Sequence, residues 1–324
     1  MAPLTPVQGS TQTAQALDGP HCPLCQGANL KPARTPLDAA YCLLSCESCD
    51  LEFAHPMKHP GRDFYEQLSP IYSYRRRYHT CSLELFASQR EFLRQLPARG
   101  GDLLDAGCGD GLFLDSARRH YRVVGLELDR EAAAVARARL PANTEIYELE
   151  FDALREVAHD GAFDVITCFE VLEHLANPVA FFREACLLLK PGGYLAVSVP
   201  NRNRYYGRDN AHDFPPNHLT RWSRRSLELA FERHNIEIVV LNHLLEGRFG
   251  AYEWPRIVTL GLFKGAQTLG GAATQAATTK APSRLQRLVW LAKLLSIPPL
   301  ARLWQVALPR RESLFLYVLG RKRG

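Results

Sequence analysis

Two kinds of stretch that would place this chain in or across a membrane are missing. Residues 1–20 carry no basic residue and no apolar core, so the sequence predicts no secretory signal peptide and reads there as a disordered leader. No run of about 18 apolar residues occurs, which predicts no transmembrane helix. A large overall charge is also lacking, at +5 over 324 residues. That total hides an asymmetry: residues 280–324 hold ten Lys/Arg against one acid, net +9, which leaves the remainder near −4. With 46% apolar and 23% charged residues, the composition excludes a fibrous or mostly disordered chain. The length gives room for one large and one small domain.

A further absence is more specific. The chain has a glycine-rich turn, LLDAGCGDGLFL at 103–114, but its spacing is not the G-x-G-x-x-G that cradles a pyrophosphate. Apolar Leu103 and Leu104 run into Asp105, and Gly107, Gly109 and Gly111 alternate before a helix-compatible run starts at Leu112. This predicts a buried strand turning into a helix through a loop with few side chains, where backbone can approach a ligand closely. The leading carboxylate would repel a pyrophosphate and suits a ligand bearing an ammonium and a sulfonium.

Downstream, apolar and helix-forming runs alternate. Residues 122–129 read as a second strand, 130–139 as an alanine-rich helix, 144–149 as a third strand and 163–169 as a fourth. A helix over 179–189, a proline-glycine turn at 190–193 and a strand over 194–199 follow, then a helix over 223–235, a strand over 236–241 and a last strand over 313–319. After the fourth strand comes Glu170-Val-Leu-Glu173-His174. Helical spacing would bring Glu170, Glu173 and His174 to one face, where they could chelate a divalent cation, line an active site without metal, or form a structural turn. Residues 202–222 read as a polar loop over the carboxyl end of the sheet, with His212, Asp213 and His218 in reach of a substrate.

The Asp-x-Gly-x-Gly-x-Gly motif resembles the first motif of the class I S-adenosylmethionine (SAM) dependent methyltransferases, and the order of the later elements is similar to that family. The resemblance implies a Rossmann-like seven-stranded fold whose last strand is antiparallel. It implies SAM as methyl donor, held by Asp105, Gly107, Cys108, Gly109 and Gly111 with Phe169. Glu127, 22 residues after Asp105, would take the ribose, and Asp152 the adenine edge, with Glu148 and Glu150 as close competitors. The E-x-x-E-H turn resembles that of the ubiquinone-pathway O-methyltransferases and the small-RNA 2′-O-methyltransferases, which use it with a divalent metal. In the second group a histidine after a Pro-Asn segment is a further ligand, and His218 is the nearest match, beside a purely structural role. The implied reaction is in-line methyl transfer to an oxygen, with His174 or His218 as base and Glu170, Glu173, His174 and His218 as candidate ligands for Mg2+ or another divalent cation.

The remaining features lie outside the methyltransferase core. Cys22-x-x-Cys25 and Cys46-x-x-Cys49, twenty residues apart, match a zinc ribbon in which four thiolates hold one ion. A redox dithiol is the alternative, and Cys42, His21 and His55 are near enough to substitute as ligands. Paired cysteines of this kind fit a reducing compartment, hence a cytoplasmic protein. Tyr72, Tyr74, Arg75, Arg76, Arg77 and Tyr78 form a basic aromatic cluster that suits a lid, a solvated face or a nucleic acid. Residues 284–308 combine two tryptophans with basic residues, as an interfacial membrane helix at the inner membrane face does; a cover for the core or a partner protein fits equally. The expected order is a leader (1–20), the ribbon (21–60), a linker and helical lid (61–100), the SAM-binding core (101–250), a basic amphipathic insertion (251–311), and a strand with a basic tail (312–324). The acceptor expected first is a small-molecule, lipid-linked or glycan hydroxyl. RNA comes second, and a non-catalytic SAM-binding adaptor third.

Overall fold

A computed structural model describes residues 19–33, 40–61, 64, 85–98, 100–149, 158–204, 213–244 and 314–324. The 72–78 cluster, Asp152, Glu150, His212 and the 251–311 insertion lie outside them. The first motif forms β4 (Asp102–Ala106), whose Leu103 and Leu104 are fully buried on opposite faces. A strand covered on both sides in this way belongs in the middle of a parallel sheet. β4 pairs in parallel with β5 (Arg122–Leu126) and with β7 (Phe163–Phe169).

The sheet runs outward from β5 to β6 (Glu145–Tyr147), and from β7 to β8 (Leu189–Pro200), β11 (Phe315–Lys322) and β10 (Ile236–Leu244). β11 is antiparallel to both its neighbours, as expected. The strand order reverses between β4 and β7, and open α/β sheets bind ligands at the carboxyl ends beside such a switch. The 190–193 turn expected ahead of β8 is instead absorbed as an irregularity inside it: the ladder jumps from Phe163↔Leu189 to Val165↔Tyr194.

The connecting helices are started by their own side chains. Asp129 accepts from the Glu131 and Ala132 amides ahead of one helix (Arg130–Arg139), Asn177 caps the next (Pro178–Leu188), and Ser223 forms a capping box on the third (Arg224–Arg233). Phe92 of the first helix (Ala87–Gln95) is buried against Phe113, Tyr121 and Phe169, which fixes that helix on the sheet.

The cysteine module folds as β1 (Leu30–Pro32), β2 (Cys42–Cys46) and β3 (Glu52–His55), all antiparallel. Strands this short cannot build an independent core. The fourth strand of their sheet is β9 (Thr220–Arg221), which comes from the 202–222 stretch. That stretch is therefore only partly a polar loop: Trp222 is fully buried, with its indole N–H on Thr220 Oγ1 at 2.8 Å. Leu24, Leu51 and Phe53 of the ribbon share one apolar cluster with Leu104, Phe182 and Phe231.

Candidate active site

The glycines shape the loop in different ways. Gly107 has φ +84°, and a Cβ there would stand 2.3 Å from Val171 Cγ2, so the loop is packed directly on the E-x-x-E-H segment. Gly111 (φ +77°) meets Ala136 of the neighbouring helix in the same manner. Gly109 (φ +56°) faces open space within 4 Å. A backbone cradle open on one side is what a ligand needs. The Cys108 side chain is buried in one apolar cluster with Leu114 and Ile146, its Sγ close over Gly125.

Two carboxylates flank the loop. Glu127, just past β5, accepts the Gly109 amide through Oε2 and the Asp129 amide through Oε1, both at 2.8 Å. Asp105 is 1% exposed and accepts from Thr167 Oγ1 at 2.7 Å. Burial lifts its pKa to about 7; the Thr167 bond opposes this and the Glu127 charge adds to it. Phe169, at the end of β7, stands edge-on to Phe113 and is stacked on Tyr317.

Beyond β7 the backbone turns sharply. Glu170 has φ +56°, a strained value of the kind that clusters at functional sites. The helical turn expected from Glu170 begins later, as a 3-10 turn over Leu172–His174. Glu170 is consequently not on the shared face: its Oε1 accepts the Ser198 hydroxyl at 2.7 Å. The group that does converge is Glu173, His174 and His218, with one donor atom from each lying within 4.8 Å of the others. His174 Nδ1 donates to the Asn217 carbonyl at 2.7 Å, which leaves the lone pair on Nε2. Burial lowers the His174 pKa to about 4; the Asn217 bond opposes this and His59 adds to it. Burial, then the Glu170 charge, pushes Glu173 well above the usual carboxylate range, and Glu173 Oε2 is a buried oxygen with no hydrogen-bond partner among the described residues. An orphaned carboxylate oxygen beside two imidazoles fits a divalent cation.

A small polar pocket of about 10 Å³ adjoins this group, lined by Glu173, Arg202, Arg204, Asp213, His218 and Arg221. Arg204 pairs with Asp213, which also lies 3.7 Å from His218 Nδ1. Burial and the neighbouring Arg221 lower Arg204 to about 10, so it stays charged at neutral pH. Arg202, Arg204, Arg221, Ser198 and His59 were not legible as site residues: the three arginines sit in a stretch with no periodicity, and His59 comes from the ribbon.

At the other module, the Sγ atoms of Cys22, Cys25, Cys46 and Cys49 lie within 4.8 Å of one another. The contacts are 3.5 Å between Cys22 and Cys49 and 3.4 Å between Cys25 and Cys46. His21 and Cys42 are engaged elsewhere, on the carbonyls of Gly19 and His55.

The fold and the cradle together define a Rossmann-like enzyme of the SAM-binding type. Residues 74–241 match the family model described as a methyltransferase domain, and the chain belongs to the class I SAM-dependent methyltransferases. It is 39% identical over 107 residues to the ubiquinone biosynthesis O-methyltransferase of Sodalis glossinidius, covering 32% of this chain and 43% of that protein. It is 39% identical over 113 residues to the protein of the same name from Albidiferax ferrireducens, covering 33% and 44%. The chain thus spans under half the length of these curated relatives. Among solved structures, a SAM-dependent methyltransferase from Thermotoga maritima superposes with a TM-score of 0.50 at 16% identity, covering 81% of this chain and all of that one; this likeness concerns the fold.

Proposed function

We propose that this protein is a SAM-dependent O-methyltransferase acting on a small-molecule hydroxyl. The observation that carries the reading is the convergence of Glu173, His174 and His218 just beyond Val171, the residue packed on Gly107 of the glycine loop, in a chain whose curated relatives are named for O-methylation. Gly107, Gly109 and Gly111 would hold the donor through backbone, and Glu127 would accept its ribose hydroxyls. Bound there, SAM supplies an electrophilic methyl on a sulfonium. Phe169, packed on Phe113 and Tyr317 at the end of β7, would contribute apolar surface to that site.

His174 is the base of this reading. Its Nδ1–H is tied to Asn217, so Nε2 takes the acceptor's proton as the oxygen becomes a nucleophile. His218, edge-on to His174 at 4.7 Å between ring centres, is placed to hold that hydroxyl in line. Alternatively, Glu173, His174 and His218 would hold a divalent cation, with His174 Nε2 as a ligand and not the base, and the ion would supply a lowered pKa to a bound hydroxyl. Two imidazoles and one carboxylate suit Mn2+ or Zn2+ better than Mg2+, which favours oxygen ligands. The ion at Cys22, Cys25, Cys46 and Cys49 is proposed to be structural zinc, because four thiolates leave no open position. Lipid-linked, quinone-like acceptors come first, on the relatives' names. The membrane expectation rests on residues 284–308, outside those described, and the nucleic-acid expectation rests on the cysteine ribbon, the 72–78 cluster and the basic tail, of which only the 72–78 cluster lies outside them. No described helix is long and apolar enough to cross a membrane.

The test is a labelled-SAM transfer assay against fractionated small-molecule, lipid and RNA extracts. Label in a small-molecule or lipid fraction, lost in His174→Ala with SAM affinity kept, is the expected result. Label confined to RNA would sink the reading.

A further inference from the structure

We propose that the cysteine ribbon is a wall of the acceptor site, and that Glu52 is the positioning residue through which it holds that wall. The inference rests on the reading of Glu173, His174 and His218 as the acceptor side.

The connection is made of backbone first. Ala54, in β3, donates its amide to the Leu219 carbonyl at 2.8 Å, and Leu219 donates its own amide to the Glu173 carbonyl at 2.8 Å. One residue is therefore bonded to the ribbon on one side and to the Glu173 turn on the other. The next two residues form β9, with Phe53 opposite Thr220 and Glu52 opposite Arg221. On the amino-terminal side of Leu219 come His218 itself and Asn217, whose carbonyl sets the His174 tautomer.

Side chains reinforce this. Glu52 lies three residues past Cys49, and its carboxylate takes Arg221 Nη1 at 2.6 Å on one oxygen and Arg202 Nη2 at 3.4 Å on the other. Arg202 also reaches Asp50 Oδ1 at 3.2 Å. Arg202 and Arg221 both line the small pocket beside His218. Charge-assisted pairs this buried are costly to break from one side, because the partner charge is left uncompensated. Arg225 and Arg233 add bonds to the Ser48 and Leu24 carbonyls, at 2.7 and 3.0 Å. These contacts converge on residues 202–233, whereas the glycine loop is packed by Val171 and Ala136. Ribbon and acceptor wall should therefore move together; the glycine loop touches that wall through Val171 but is also held by Glu127, Ala136 and the β4–β5 pairing, which keep SAM affinity near wild type.

The test uses the full chain reconstituted with zinc, as wild type, Glu52→Ala and Glu52→Gln. The glutamine keeps volume and strand pairing in case the alanine variant fails to fold, and should show the same effects at smaller amplitude. Hydrogen exchange is followed by mass spectrometry in peptides spanning 170–176 and 213–222, with 102–114 as the internal control. The His174 imidazole is followed by nitrogen NMR, and zinc content and SAM affinity are measured in parallel. Expected are at least tenfold faster exchange in the first two segments and loss of the Nδ1–H imidazole signal, with zinc retained and SAM affinity within twofold of wild type. Unchanged exchange and imidazole signals would overturn the proposal. So would loss of zinc or of SAM binding, which would make Glu52 a general stability residue. Neither readout involves an acceptor, so a chain showing this coupling but methylating no hydroxyl would retain the inference and discard the O-methylation reading.

Discussion

At the scale of single residues, neighbouring glycines of one motif make opposite predictions. Gly107→Ala should destabilise the fold by about 1–3 kcal/mol, because its Cβ would overlap Val171 in a packed site. Gly109→Arg should cost about 1 kcal/mol from its φ of +56°, with no clash, and abolish SAM binding by calorimetry, since the new side chain enters open space at the loop. Equal SAM affinity in Gly109→Arg would remove the loop from the cofactor site. Asp105 carries a pH prediction. Its pKa is about 7 when folded and near its ordinary 3.8 when unfolded, so over that window the folded state retains a proton that the unfolded state has lost. Its contribution to stability therefore declines as pH rises from about 4 through 7. Urea unfolding of Asp105→Asn should lack this slope; parallel wild-type and variant profiles would show that Asp105 does not titrate there.

Among the elements, the cysteine ribbon yields the most direct experiment. The Sγ atoms of Cys22 and Cys49 stand 3.5 Å apart and those of Cys25 and Cys46 3.4 Å apart, so thiol protons occupy the space that a metal ion would take. Metal binding must displace such protons. Zinc affinity, measured by competition with a chromophoric chelator, should fall steeply between pH 8 and 6, and a flat profile would exclude thiolate ligation. The ribbon and the central strands were legible in the sequence because their signals are local: Cys-x-x-Cys spacing, apolar runs and glycine turns. The site was legible only in part. Glu173 and His174 are adjacent in sequence, and their role needs only a turn. Glu170 was misplaced because a positive φ breaks the helical spacing that was assumed for it. Glu52 and Arg221 meet only through a two-residue strand pairing across 169 positions, and no periodicity announces such a contact.

For the molecule as a whole, the pairing of β10 with β11 has a consequence beyond completing the sheet. Leu244 and Phe315 are register partners, so the chain leaves the sheet and re-enters it about 5 Å away, the spacing of neighbouring strands. Leu244 and Phe315 are thus adjacent ends of two paired strands. Loop-closure entropy changes by only about 0.6 kcal/mol per doubling of length. Replacing residues 250–311 with a short Gly/Ser turn should therefore preserve SAM affinity and a cooperative melt, and a chain that no longer folds would refute this. These strand ends also have a definite address, because Phe315 pairs with Pro200 at the carboxyl end of β8 and Leu314 accepts the Asn201 amide. The excursion thus starts and finishes at the rim that carries the histidine pair. Because both ends are fixed by strand pairing, exchanging the residues between them should leave the methyl-donor cradle as built.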